Sequence, residues 1–131
     1  WGLSENGALS NVLQESRIPV VNVLTCIKSN PTFFAEHLTE KSFCAGYQNG
    51  SIHDYEFSLW WCKSDTIFFM LFTGIGFCGG SSGGSITFEK DGIFYIRGVV
   101  SNRMTQKYRC DSTQYIAFMD VAKFLPWIKE I

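Results

Sequence analysis

The regular alternation of apolar and polar residues is clearest from Ser85 to Arg97. Ser85-Ile86-Thr87-Phe88-Glu89 repeats with period two, Lys90-Asp91-Gly92 supplies a turn, and Ile93-Phe94-Tyr95-Ile96-Arg97 resumes with branched and aromatic residues. That pattern predicts a β-hairpin. Beyond Gly98, Val99-Val100-Ser101 prolongs the second strand, and Tyr115 to Met119 forms another after a polar stretch ending near Thr113. Upstream, Glu15 to Leu24 reads as β, with Pro19 near a strand end or edge where its missing donor is tolerated. Helix signal is confined to the tail. Asp120 is suited to start a turn, and Pro126 fits the first turn of a helix beginning near Leu125, with Trp127, Ile128 and Ile131 expected to face inward. Short strands, glycine turns and one terminal helix predict an all-β unit, a small antiparallel sandwich or barrel. Ser51 to Phe77 does not fit: it holds eight large aromatic residues, Tyr55 to Phe77, without clear period or turn chemistry, and reads as an irregular hydrophobic insert.

The 131 residues suit one domain with one core. With 11 Lys plus Arg against 12 Asp plus Glu, the net charge of -1 provides no basic field for nucleic acid or an anionic membrane surface. The longest apolar run, Thr66 to Phe77, is interrupted by two glycines and is shorter than the roughly 20 residues of a membrane span. The first residue is Trp and no signal peptide is visible, so the chain reads as starting in mid-stream. Cys26, Cys44, Cys62, Cys78 and Cys110 contain no Cys-x-x-Cys pair, which disfavours a metal site and favours disulfides in an oxidising compartment, with one thiol left over. Asn49-Gly50-Ser51 is a glycosylation sequon consistent with secretion.

Candidate chemistry lies in Cys78-Gly79-Gly80-Ser81-Ser82-Gly83-Gly84-Ser85, just before the hairpin. Alone, this stretch is open to three readings. A flexible Gly/Ser connector is the plain one. A phosphate loop requires a lysine after the glycines and a helix to follow, whereas a strand follows here. In a nucleophile loop, glycines let backbone donors approach a carbonyl that a serine hydroxyl attacks.

The surroundings of this stretch resemble the C-terminal half of trypsin-like (chymotrypsin-fold) serine proteases. Trp1-Gly2, Leu13-Gln14, Ile18-Pro19-Val20-Val21, Cys26, Phe43-Cys44-Ala45-Gly46-Tyr47, Cys78 to Ser85, Arg97-Gly98-Val99-Val100-Ser101, Cys110 and Tyr115 to Ile128 match its blocks in order. The Tyr-Gln-Asn-Gly and Asp-Gly-Ile-Phe-Tyr-Ile-Arg-Gly phrases are most similar to insect modular or clip-type immune proteases. The resemblance implies a six-stranded antiparallel Greek-key barrel plus a C-terminal helix over residues 1–131, with 51–77 as an atypical insert. It pairs Cys26 with Cys44 and Cys78 with Cys110, leaves Cys62 over, and makes Ser82 the nucleophile with the Gly80 and Ser82 amides as the oxyanion hole. Gly76, Ser101 and Ile116 fall on its specificity pocket. Gly76 at the floor excludes a trypsin-like preference for Arg or Lys, and Ile116, where a glycine is usual, would fill the cavity. No cofactor or metal is implied. The implied partners are a protein or peptide substrate and an N-terminal barrel missing from these residues, and the implied setting is extracellular.

Three departures bear on mechanism. The barrel that supplies the family's His and Asp has no counterpart here, leaving His37, in the loop before Phe43, and His53, in the insert. Each reads as a surface histidine and neither as a general base. Ser81 replaces the Asp that accepts the new α-amino group after activation cleavage, and a serine cannot make that ion pair. The insert replaces a short link; its apolar content has no evident burial partner, which favours translated non-coding sequence over a natural loop. Two functions remain in view. One is a secreted, cascade-type serine endopeptidase domain, incomplete and inactive as this chain alone. The other is a non-catalytic homologue acting as an extracellular binding or regulatory module. A β-barrel unrelated to proteases, with Gly79 to Gly84 as linker, is the third and weakest reading.

Overall fold

The hairpin that alternation predicts is the backbone of the fold. A computed structural model describes residues 8, 11–12, 16–48, 68–70, 82–102, 105–106, 109–110 and 113–131, and gives the backbone alone for 16, 68–70, 102, 105–106 and 109–110. Strand β5 (Ser85–Lys90) turns through Asp91 and Gly92 into β6 (Ile93–Asn102). Both turn residues have positive φ, 55° and 77°, as a two-residue type I′ turn requires, and Asp-Gly tolerates this.

The remaining sheet strands are β1 (Ser16–Ile18), β2 (Val20–Val21), β3 (Ser42–Ala45), β4 (Phe68–Met70) and, counting two short strands still to come, β9 (Ile116–Asp120). All neighbours are antiparallel, in the order β1-β4-β5-β6-β9-β3-β2. The two end strands are consecutive in the chain, separated by Pro19 alone, and the Pro19 carbonyl accepts a hydrogen bond from the Gly46 amide at 3.0 Å. Proline thus sits where the segment changes partner, β1 pairing β4 and β2 pairing β3. The short strands β7 (Thr105–Gln106) and β8 (Arg109–Cys110) form a separate ribbon.

Strand β4 lies inside the segment 51–77, so part of the stretch read as an insert occupies a sheet position between β1 and β5. Two further helices were not expected. Helix α1 (Val23–Ser29) is capped by Asn22, whose side chain accepts from the Leu24 amide at 2.8 Å. Asn30 ends it and opens α2 (Pro31–His37), accepting from the Phe33 amide at 3.1 Å, with Pro31 in the first turn. The β expectation therefore stops at Val21 rather than Leu24, and His37 ends a helix rather than lying in a loop. The asparagine cap and the Asn-Pro pair outweigh the β-branched run before them.

Two packed clusters flank the sheet. Ile18, Ala45, Ile86, Val100, Ile116 and Phe118 form one; Cys26, Phe34, Cys44 and Tyr115 form the other, where α1 and α2 cover the sheet. Burying each large apolar side chain among them contributes about 1.5–3 kcal/mol. The Cys26–Cys44 disulfide fastens α1 to β3. The 3₁₀ turn Val121–Phe124 is capped by Asp120 and runs into α3 (Leu125–Glu130), with Pro126 in its first turn. There the expectation of inward-facing residues fails: Trp127, Ile128 and Ile131 are 60%, 45% and 87% exposed. A helix of 6 residues that only follows the sheet's last strand has too little sheet beside it to bury that stripe.

Candidate functional site

Ser82 and Gly83 form an exposed turn leading into β5. Gly83 has φ +84°, a conformation that glycine adopts without strain, and a Cβ at that position would meet open space. Two hydrogen bonds fix the turn to β6: the Gly83 amide donates to the Val100 carbonyl at 3.2 Å, and the Val100 amide donates to the Gly84 carbonyl at 2.8 Å. Ser85 then pairs with Val99. Ser82 is held, in consequence, one residue outside a two-bond anchor whose other side is a core residue, Val100 at 4% exposure.

Ser101 follows at a β-bulge, where the β6–β9 register shifts between Val100 and Asn102, and is half-buried. Ile116 is 2% exposed and belongs to the cluster with Ala45, Ile86, Val100 and Phe118. It also comes within 3.9 Å of where a Cβ on Gly46 would sit, at a backbone φ of +125°. Ser101 and Ile116 are thus carried on neighbouring strands, β6 and β9, with Ser82 tied to the same stretch of β6.

Gly76, Gly80, Ser81, Cys62, Cys78 and His53 lie outside the described residues; Cys110 is placed by backbone in β8, opposite Thr105. His37 is committed to its own helix: Nδ1 donates to the Phe33 carbonyl at 2.8 Å and the ring stacks on Phe33 with centroids 4.3 Å apart. Among the described residues, no group of three or more His, Cys, Asp or Glu could hold a metal ion, and no helix is long and apolar enough to cross a membrane.

One charged constellation escaped the pattern reading. Arg97 grips Asp120 with two hydrogen bonds, Nη1 to Oδ1 at 2.6 Å and Nη2 to Oδ2 at 2.8 Å. The guanidinium also lies 5.5 Å from the centroid of Phe43, whose ring stacks on Phe118. Asp120 Oδ1 accepts from the Ala122 amide at 3.0 Å, and the Asp120 amide donates to the Lys41 carbonyl at 2.8 Å. The available signal was a lone cation and a lone anion in otherwise apolar strands.

A serine hydroxyl exposed on a glycine turn beside an antiparallel strand has the form needed for attack on a carbonyl, provided a base takes its proton. Comparison with known proteins bears on that chemistry. The chain is 29% identical over 136 aligned residues to clotting factor C of Tachypleus tridentatus, covering 99% of this chain and 11% of that protein. It is 32% identical over 102 residues to venom serine protease Bi-VSP of Bombus ignitus, covering 77% of this chain and 22% of that one. The human hepatocyte growth factor activator serine protease is 31% identical over 103 residues, covering 77% and 12%. The chain is related to serine proteases. It spans only about a tenth to a fifth of the length of these curated relatives. No family model matches it.

Proposed function

We propose that this chain is the C-terminal barrel of a secreted, trypsin-like serine endopeptidase domain, with Ser82 as nucleophile and protein or peptide as substrate. The observation that carries this reading is the Ser82 turn, anchored to Val100 in a chain whose relatives are serine proteases. The strand order supports the barrel: β1 and β2, which flank Pro19 in the chain, lie at the two ends of the sheet. The Cys26–Cys44 disulfide supports an oxidising compartment. In the same reading, the Gly80 and Ser82 amides form the oxyanion hole, Cys78 pairs with Cys110, and Gly76, Ser101 and Ile116 border the substrate's side-chain pocket.

These 131 residues by themselves are inert in this account. Acyl transfer needs a base within hydrogen-bond reach of Ser82 and a carboxylate to orient it, and the barrel that supplies both in this class must come from outside these residues. In this reading the base is not His37, whose Nδ1 donates to the Phe33 carbonyl and whose ring stacks on Phe33 within α2.

One observation favours a second reading, a non-catalytic homologue that binds without cutting. Ile116, which the resemblance aligns with a pocket glycine, is buried in the core, and a branched side chain at that position would take volume from a substrate pocket. Sequencing the transcript upstream of the Trp1 codon and across 51–77 separates the two. An encoded Ala-Ala-His-Cys segment and a buried-Asp segment support the peptidase; a barrel lacking that histidine supports the binding module and defeats the first reading.

A further inference from the structure

We infer that the Arg97–Asp120 ion pair sets the register of β6 beyond its bulge and thereby positions the turn that carries Ser82. The β5–β6 pairing steps from Thr87↔Ile96 to Ile86↔Gly98, so Arg97 is the extra residue of a bulge. A bulge sets one extra residue in one strand, and a one-residue change of register beyond it turns every following side chain to the opposite face. Here it would take Val100 out of the core and carry its amide and carbonyl away from Gly84 and Gly83.

The ion pair opposes that change from the other side of the strand. Asp120 is the β9 residue paired with Gly98, immediately after the bulge, and is 7% exposed. Its carboxylate is fixed by the Ala122 amide and its backbone by the Lys41 carbonyl, so the two-pronged contact ties the bulge to a point that is itself held from two directions. Gly98 makes the fit tight: a Cβ there would lie 2.7 Å from the Phe43 ring and 2.9 Å from the Met119 carbonyl oxygen. From Gly98 the register passes through Val99, paired with Ser85, to Val100 and the Ser82–Gly84 turn. Arg97 and Asp120 are positioning residues. Their bearing on catalysis rests on the reading of Ser82 as nucleophile; their control of register does not.

Amide hydrogen exchange followed by NMR on the full chain, wild type against Arg97→Gln, tests this. Exchange at Gly83 and Val100, the amides that join the turn to β6, is expected to rise about tenfold more than exchange in the β3–β9 ladder. Arg97→Lys keeps the charge without the paired geometry and is expected to fall between the two. An equal rise in both ladders assigns the pair a general stabilising role and overturns the inference, as does unchanged exchange at Gly83 and Val100. If Arg97→Gln does not fold, Arg97→Lys is read by the same comparison. Because exchange does not depend on reactivity, inert Ser82 leaves this result standing and a failed register result leaves the Ser82 proposal standing.

Discussion

Replacing Gly98 by alanine probes the tightest contact near the candidate site. The added methyl would meet Phe43 Cε1 at 2.7 Å, Phe43 Cζ at 2.8 Å and the Met119 carbonyl oxygen at 2.9 Å. The ring is stacked on Phe118 at 5.4 Å and covered by the Arg97 guanidinium at 5.5 Å, so swinging it aside gives up both contacts. The carbonyl belongs to β9 and recedes only if β6 and β9 part. Overpacking of this kind costs about 1–3 kcal/mol. Alanine's smaller unfolded-state entropy offsets about 0.4–1 kcal/mol of that. The net expectation is a loss of about 1–2 kcal/mol, read by urea denaturation as a lowered midpoint with an unchanged slope. Phe43→Leu in the same background removes the ring that supplies two of the three close atoms. The double mutant should therefore lose less than the sum of the single mutants, by about 1 kcal/mol. A Gly98→Ala protein as stable as wild type, or strict additivity with Phe43→Leu, refutes the reasoning.

Other consequences are simpler to read. Opening the Cys26–Cys44 disulfide by Cys26→Ser and Cys44→Ser releases a loop with a sequence separation of 18. The chain-entropy account gives a loss of about 3 kcal/mol, seen as a lower melting temperature under non-reducing conditions; a melting temperature equal to wild type would contradict it. Phe118 is fully buried between the strands that flank the site, so Phe118→Ala should lose about 3–5 kcal/mol by chemical denaturation. A loss below about 1 kcal/mol would mean that this cluster is not the core.

The hairpin was legible because alternation and Asp-Gly agree, one reporting a half-buried face and the other the turn. Glycines around Ser82 marked a connector or loop, though not the Val100 bonds that fix its last residues, which join residues 16 or more positions apart. Helices α1 and α2 were missed because seven residues each give less than two full apolar repeats, and Val20-Val21-Asn22-Val23 favours β by propensity. Their legible signals were the Asn22 cap and the Asn30-Pro31 boundary. In β4, Phe68-Phe69-Met70 offers no alternation from which to read a strand face. Pro126 correctly fixed the start of α3, but the inward stripe presumed a surface to pack on, which periodicity does not supply. The Arg97–Asp120 contact spans 23 positions between two strands, and a lone charge in each carries no hint of its partner until their register is known.

Fluorophosphonate labelling tests the central claim most directly, applied in parallel to the 131-residue chain and to the longest protein translated from its transcript, each beside a Ser82→Ala control. The account predicts an adduct on Ser82 in the longer protein and none above the control in the shorter chain. An adduct on Ser82 in the shorter chain, or no Ser82-dependent adduct in either, contradicts it.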